Sequence, residues 1–156
     1  MGYLLFSKAM IEIKQIQEIT PEIVEAFSIL MPQLTTKSKV PDRKYLEEII
    51  ETKNTYLFIA CNPDIVGSIT VVVTNTPSGS KAWIEDVIVD KSTRGQSIGR
   101  ELVSFVIYFA KKLNIKSINL TSSPDRVAAN KLYQKLGFIL RETNVYRLTI
   151  NSEQKL

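Results

Sequence analysis

WIEDVIVDKSTRGQSIGREL, residues 83–102, is the stretch of sequence that decides the fold. Its first seven residues are mostly apolar, which is typical of a strand, and this strand ends at Asp90. From Ile98 onwards, apolar residues recur at helical spacing. The loop between the two is polar and contains glycine. A strand, a short loop and a helix in this order are typical of an α/β domain, and they place the loop at the N-terminus of the helix.

The loop has the composition of an anion site, since it holds Arg94, Gly95, Gly99 and Arg100. The first backbone N–H groups of a helix have no intrahelical partner, and the helix dipole favours an anion there. Glycine lets the backbone approach a phosphate closely. The loop therefore predicts a phosphate or pyrophosphate site, although it is neither a Walker A loop nor a G-x-G-x-x-G fingerprint. The alternative is structural: Gly95 ends the strand and Gly99 packs inside the helix.

Periodicity and turn residues on either side of this stretch predict the order β-α-α-β-β-β-α-β-α-β-β. The predicted strands lie at residues 11–16, 56–61, 65–74, 81–89, 115–120, 138–140 and 144–150. The predicted helices lie at residues 21–30, 42–52, 98–113 and 123–136, with a loop over residues 32–41. Crossover helices need parallel strands and hairpins need antiparallel ones. We therefore expect an α/β fold with a mixed, mostly antiparallel central sheet flanked by helices.

Length and composition suit one globular domain, since the chain has 156 residues of which 44% are hydrophobic and 23% charged. We expect an N-terminal extension over residues 1–9, a single domain over residues 10–151 and a C-terminal tail over residues 152–156. The net charge of +4 is spread along the chain. It fits either an anionic ligand or a solvated surface, and without a clustered basic stripe we expect no nucleic-acid partner. No apolar run approaches the roughly 20 residues that span a membrane, so we expect no membrane partner and a cytoplasmic location.

The residue types that are missing exclude several kinds of chemistry. The chain has no histidine, which excludes Ser-His-Asp and Cys-His nucleophiles and His-based metal sites, so we expect no metal. The single cysteine, Cys61, excludes an intramolecular disulfide. It lies in an apolar strand without a basic neighbour, so we expect a core thiol rather than a nucleophile.

A second segment, RVAANKLYQKLGF at residues 126–138, reads as a helix, a glycine stop and the start of a strand. Together the two segments resemble the GNAT superfamily. That family's phosphate loop, Q/R-x-x-G-x-G/A, is similar to residues 94–99, which match it at the first and last positions. The family's later signature, Ala-x-x-x-Tyr-x-x-x-Gly-Phe, is matched at Ala129, Tyr133, Gly137 and Phe138. The resemblance covers about residues 10–150, and both motifs occur in the family's order and spacing.

Two positions depart from the family's pattern. Ser97 stands where the phosphate loop has its middle glycine, which matters if that site needs a positive φ. Arg126 stands where the family often has an asparagine that contacts the CoA arm. A cation there can still serve a ligand that carries phosphates.

The resemblance implies that acetyl-CoA is the cosubstrate. Its pantetheine arm would pair with the edge of the strand that ends at Val89, as an added strand would, and its pyrophosphate would accept from the loop N–H groups. The expected cofactor-binding residues are Val87, Ile88, Val89, Arg94, Gly95, Gln96, Ser97, Ile98, Gly99, Arg100 and Arg126.

The resemblance also implies direct attack of a neutral amine on the thioester. Tyr133 matches the family's usual acid, which protonates the leaving thiolate; the alternative is a tyrosine that only packs at a helix end. For the base, Glu85 and Asp86 are the candidates, and water could also relay the proton. We prefer Glu85, which regular alternation would put on one face with Trp83, Val87 and Val89.

The expected function is therefore transfer of an acetyl group from acetyl-CoA to a primary amine. The alternative is a non-catalytic CoA-binding sensor or assembly module of the same fold. The acceptor would be a small-molecule or peptide amine, bound near residues 20–55, which carry no signature for any one amine. We expect a monomer or a homodimer.

Overall fold

The computed structural model describes residues 10–37 and 39–150. The expected extension over residues 1–9 and the tail over residues 152–156 lie outside the described residues. The chain divides into two compact units, one ending at Thr121 and the other beginning at Ser122. Each unit is described by itself, and the single domain expected over residues 10–151 stays a prediction.

The first unit is built on one five-stranded sheet in the order β1-β2-β3-β4-β5. The first three strand pairs are antiparallel, and β4 and β5 are parallel. The strands are β1 (Glu12–Gln15), β2 (Thr55–Cys61), β3 (Ile65–Thr76), β4 (Gly79–Val89) and β5 (Ile118–Asn119). The helices of this unit are α1 (Pro21–Leu34), α2 (Arg43–Glu51) and α3 (Ile98–Lys112). The predicted α/β fold with a mixed, mostly antiparallel sheet flanked by helices is confirmed.

Helices α1 and α2 begin where side chains can cap them. The hydroxyl of Thr20 accepts a hydrogen bond from the Ile23 N–H, and the Asp42 carboxylate accepts one from the Tyr45 N–H at 2.9 Å. Helix α1 runs through Pro32 to Leu34, so the prediction of a loop from residue 32 is wrong. A proline removes only one N–H donor, and the last turn is still closed by the Thr35 N–H on the Met31 carbonyl at 3.1 Å.

The two faces of the sheet are covered by different helices. Successive side chains of β2 point to opposite faces. Leu57 and Ile59 join a buried cluster with Phe27 of α1 and Leu46 of α2. Phe58 points the other way and makes edge-to-face contacts with two phenylalanine rings of α3. Burial of a large apolar side chain contributes about 1.5–3 kcal/mol, so both layers hold the sheet in place.

The second unit contains one helix, α4 (Val127–Lys135), among its described residues. The prediction that this helix begins at Ser123 is wrong. Ser123 instead closes a turn, in which its carbonyl accepts from the Arg126 N–H at 3.1 Å and from the Asn130 side chain at 2.9 Å. Gly137 has φ 94° and ends the helix in the left-handed region, which confirms the predicted cap.

Residues 138–150 form no strand in the structure, so the two last predicted strands are not seen. Their apolar side chains, such as Ile139 and Tyr146, are 86% and 87% exposed. Strand propensity describes what a segment can do once it is paired, and a lone strand is not stable. The periodicity of this segment was therefore a poor guide to its structure.

Candidate active site

The loop between β4 and α3 contains two residues in the left-handed region, Gly95 with φ 82° and Ser97 with φ 65°. Ser97 directly precedes the right-handed residues of α3. A left-handed residue followed by a right-handed one turns successive N–H groups into a concavity that binds anions. Within residues 10–37 and 39–150, no side-chain hydrogen bond caps the N-terminus of α3 at Ser97. A Cβ on Gly95 would meet none of the described atoms within 4 Å. The loop thus presents its backbone donors to a ligand.

The start of this loop is held against α1 by hydrogen bonds. The Gln33 side chain donates to the Asp90 carboxylate at 3.1 Å and accepts from the Lys91 N–H at 2.9 Å. The Asp90 carboxylate also accepts from the Ser92 N–H at 2.8 Å and from its hydroxyl. These hydrogen bonds, chiefly those from Ser92, hold the pKa of Asp90 below its usual range.

Close packing beneath α3 depends on Gly67 of β3. A Cβ at this position would lie 2.8 Å from the Ile88 carbonyl oxygen and 3.2 Å from a methyl group of Leu102. The carbonyl belongs to the backbone of β4 and cannot move aside easily. Glycine at this position lets the backbone of β4 and the Leu102 side chain of α3 approach β3 this closely.

A β-bulge interrupts β4 at Asp86, which has φ 48°. Ser68 pairs with Ile88 and Thr70 pairs with Glu85, so Ile69 stands opposite two residues. Because paired residues share a face, Glu85 lies on the same face as Ile88. The prediction that Glu85 shares a face with Val87 and Val89 is wrong, because the extra residue reverses the alternation after the bulge.

The last part of β4 has an open backbone edge in the first unit. Strand β5 pairs with β4 only at Ala82 and Trp83. On the other side, the Asp90 N–H donates to the Val66 carbonyl at 2.8 Å, and in an antiparallel ladder such pairs alternate with pairs that make no hydrogen bonds. It follows that Val87 and Val89 direct their N–H and C=O groups away from β3, towards the edge where the sequence predicts the pantetheine arm.

A cleft of about 180 Å³ lies between the sheet and the helices α1 and α2. Its polar wall includes the hydroxyl residues Ser68 and Thr70 of β3, together with Asp86 of the bulge and Lys39. Its apolar wall includes Phe27, Met31, Leu46, Ile49 and Leu57. The cleft lies where the sequence predicts the acceptor, because its helical wall comes from residues 20–55.

The two candidate bases are neighbours but differ in their position relative to the cleft. Asp86 lines the cleft, whereas Glu85 is not among the described residues that line it. Partial burial, and then the negative charge of Asp86, raise the pKa of Glu85 above its usual value. A carboxylate with a raised pKa is a better proton acceptor near neutral pH. The choice of Glu85 as the base stays a prediction.

Tyr133 and Arg126 lie together in the second unit, while the phosphate loop and Glu85 belong to the first. The ring of Tyr133 meets that of Phe138 edge to face, with centroids 5.9 Å apart. Burial raises the pKa of Tyr133, and the charge of Arg126 opposes this effect. Tyr133 is therefore protonated at neutral pH, as a proton donor must be.

The sequence analysis missed two residues that shape the site, Gln33 and Gly67. A glycine inside a strand often marks a close backbone approach, and this signal would have pointed to Gly67. A glutamine in the last turn of a helix gives no comparable signal, since its partners lie more than fifty residues away in the chain.

The remaining candidate groups show no separate site. Among the described residues, no three His, Cys, Asp or Glu side chains come together in a way that could hold a metal ion. Burial raises the pKa of the Cys61 thiol, which makes it a weaker nucleophile. None of the helices in residues 10–37 and 39–150 is both long and apolar enough to cross a membrane.

Known proteins share this chain's sequence pattern and fold. The model of the Acetyltransferase (GNAT) family matches residues 20–138. A streptothricin acetyltransferase of Escherichia coli is 28% identical over 110 residues, which are 69% of this chain and only 62% of that relative's length. A transcriptional regulator from Bacillus halodurans C-125 is 29% identical, with a TM-score of 0.70 over 90% of this chain and 100% of its own. An aminoglycoside acetyltransferase from an uncultured soil metagenomic sample is 19% identical, with a TM-score of 0.75 over 91% of this chain and 97% of its own. The residues that the family model matches include those of the cleft, the phosphate loop and the motif at residues 129–138. The chain therefore belongs to the acetyltransferase (GNAT) family.

Proposed function

We propose that this chain transfers the acetyl group of acetyl-CoA to a primary amine by direct attack. The amine nitrogen forms a bond to the carbonyl carbon, and the bond from that carbon to sulfur breaks. One proton leaves the amine, and the departing thiolate takes up one proton. Family membership supports acetyl-CoA as the donor.

The observation that carries this proposal is the loop at the N-terminus of α3. Its backbone donors are directed by the left-handed Ser97, and the cationic side chains Arg94 and Arg100 flank them. The loop directly follows the open edge of β4. A ligand with a pyrophosphate next to an extended arm bearing amide groups fits this order of donors.

We propose the roles of individual residues from the family resemblance. The arm would pair with the backbone of Val87 to Val89, and the N–H groups of Gly95 to Arg100 would bind the pyrophosphate. Arg126 would supply a further cation. Tyr133 would protonate the leaving thiolate, and Glu85 would accept the proton from the amine, directly or through water.

Two relatives support an amine as the acceptor. One is a streptothricin acetyltransferase and the other an aminoglycoside acetyltransferase. Nitrogen is the acceptor expected from the family resemblance.

Gly95→Asp tests the phosphate loop, because it puts a carboxylate where the pyrophosphate would lie. We expect micromolar affinity for acetyl-CoA, about −8 kcal/mol, in the unchanged protein, and a loss of about 100-fold or more in the variant, both measured by calorimetry. Gly79→Asp is the matched control. Gly79 also has a positive φ and open space around a Cβ, but it lies at the other end of β4. An affinity retained in a folded Gly95→Asp protein would show that CoA binds elsewhere.

A CoA-binding regulator without turnover is the second candidate. It is favoured by the Bacillus halodurans relative, which is described as a transcriptional regulator. Release of the CoA thiol in the presence of amines separates the two candidates. Tight binding of acetyl-CoA without thiol release across a broad amine panel would favour the regulator.

A further inference from the structure

The size of the cleft between α1, α2 and the sheet limits what it can hold. A cavity of about 150 Å³ lined by apolar side chains is known to bind benzene, and this cleft has a volume of about 180 Å³. It can therefore take one aromatic ring or one branched aliphatic group. Phe27, Leu46 and Leu57 on its wall are at least 96% buried, so the wall is firm and apolar.

The charges on the cleft wall are balanced. Of the described residues that line it, Asp86 is the only acid and Lys39 the only base. A polyamine with several ammonium groups would find one carboxylate and would be repelled by the lysine. A ligand with one ammonium and one anionic group matches both charges.

From this combination we infer that the acceptor is a small amphoteric amine with an apolar body, of which a free apolar amino acid is the simplest case. The inference rests on the proposed function and names the substrate class of the same site. The ammonium group would lie at Asp86, with the hydroxyls of Ser68 and Thr70 close to it on the wall. The carboxylate would face Lys39, and the side chain would fill the apolar part.

The inferred arrangement gives the two neighbouring carboxylates different tasks. Asp86 binds the ammonium form of the acceptor. The ammonium loses two protons on its way to the amide. The first leaves before the nitrogen attacks the thioester and passes through Glu85 or water to solvent, and the second leaves the nitrogen after attack and balances the proton that the thiolate takes up. Asp86 is thus assigned to acceptor binding and Glu85 to proton transfer.

The test compares three acceptors in a thiol-release assay with acetyl-CoA. L-phenylalanine carries all three features, L-phenylalaninol replaces the carboxylate by a neutral hydroxymethyl group, and kanamycin is a polycation. We expect kcat/KM to be about fivefold higher for phenylalanine than for phenylalaninol, the scale of an exposed ion pair, and lowest for kanamycin. Calorimetric titration of the same compounds in the presence of CoA gives their affinities without any need for turnover.

Variants of Lys39 and Asp86 test whether these two residues cause the preference for phenylalanine. Lys39→Met should remove the advantage of phenylalanine and leave phenylalaninol unchanged, whereas Lys37→Met, on an exposed lysine that does not line the cleft, should change neither. Asp86→Asn should weaken the binding of both about tenfold. Asparagine tolerates the left-handed backbone that Asp86 adopts, so the bulge is kept.

The outcomes separate this inference from the proposed function. Transfer to kanamycin in preference to phenylalanine, or equal affinity for phenylalanine and phenylalaninol, would overturn the amphoteric acceptor and leave the acetyltransferase intact. Absence of thiol release with every amine would overturn the proposed function. The order of affinities from calorimetry would still decide whether the cleft selects an amphoteric amine.

Discussion

Ser97 adopts a backbone conformation that suits glycine better than serine. The left-handed region costs a non-glycine residue roughly 1–2 kcal/mol, and its φ of 65° places Ser97 there. The structure thus answers the question raised by the family's glycine, because the site does need a positive φ. The strain is borne at the point where the loop turns its N–H groups towards the expected pyrophosphate.

Ser97→Gly should relieve this strain. Glycine loses more backbone entropy on folding, about 0.5–1 kcal/mol, so we expect the free energy of unfolding in urea to rise by about 0–1.5 kcal/mol. Affinity for acetyl-CoA should be equal or better. Ser97→Ala is the control, since it keeps the strain and deletes the hydroxyl. A large loss of affinity in both variants would show that the hydroxyl itself contacts the ligand.

Tyr133→Phe removes a proton donor and keeps the ring that packs on Phe138. If Tyr133 protonates the leaving thiolate, kcat should fall by about 100-fold. The dissociation constant for acetyl-CoA should hardly change, because the interaction exists mainly in the transition state. Tyr108→Phe, on an exposed face of α3, is the matched control. Unchanged kcat in Tyr133→Phe would show that the thiolate leaves without this acid.

If Glu85 is the base, the pH profile of kcat/KM should have an acid limb. A base acts only when it is deprotonated, and the pKa of Glu85 is raised, so kcat/KM should fall as pH drops through a value above the usual carboxylate range. Glu85→Gln should abolish this inflection. Asp86→Asn removes a negative charge that raises the pKa of Glu85, so the inflection should move to lower pH. An acid limb that is identical in all three proteins would assign the proton to water.

The raised pKa of Glu85 also makes the stability of the protein depend on pH. A carboxyl whose pKa is raised in the folded state favours folding when it is protonated, and this contribution is lost as pH rises through the folded pKa. Stability of the unchanged protein relative to Glu85→Gln should therefore be greatest at acid pH and decline towards neutral pH. Thermal unfolding of the two proteins across this range measures the difference.

At the scale of the elements, the end of α1 and the phosphate loop form one assembly through Gln33. Helix α1 also supplies Phe27 and Met31 to the cleft. The wall of the proposed acceptor site and the start of the proposed cofactor loop are therefore joined by one side chain. A shift of α1 would therefore be transmitted to the loop through the hydrogen bonds of Gln33.

Gln33→Met should loosen this connection. Methionine has a similar length but leaves the Lys91 N–H and the Asp90 carboxylate with one partner fewer, a loss of about 1 kcal/mol in unfolding free energy. We also expect severalfold weaker binding of acetyl-CoA in calorimetry. Ser28→Ala is the control, because that hydroxyl bonds only within α1, to the Glu25 carbonyl. Loss of stability with unchanged affinity would limit Gln33 to a structural role.

Elements with local signals were the ones that the sequence predicted well. The start of α1 after Thr20 and the glycine stop at Gly137 each depend on residues within four positions, so both are visible in the sequence. The predicted helix start at Ser123 was wrong because Ser123 and Pro124 also suit a turn, and hydrogen bonds to the Ser123 carbonyl decide between the two.

For the whole molecule, periodicity predicted the order of strands and helices up to α4, but it failed over residues 138–150, which form no strand. The loop between β4 and α3 was predictable because its polar residues and glycines lie close together in the sequence, and its role in binding phosphate stays a prediction. The cleft was not, since its wall joins residues from two helices and three strands. The bulge at Asp86 also escaped prediction, because one extra residue in a strand shows only once the register with β3 is known.

The register of β4 with β3 shows what would change if Asp86 were removed. Without Asp86, Glu85 would still face Thr70 and Ile88 would still face Ser68, because both pairs lie outside the bulge. The shortened strand would be regular, with a continuous ladder. The ladder does not need the inserted residue, and the cleft would lose its carboxylate without it. If Asp86 binds the acceptor as proposed, β4 exchanges some regularity for a carboxylate in the cleft, a local trade-off between stability and activity.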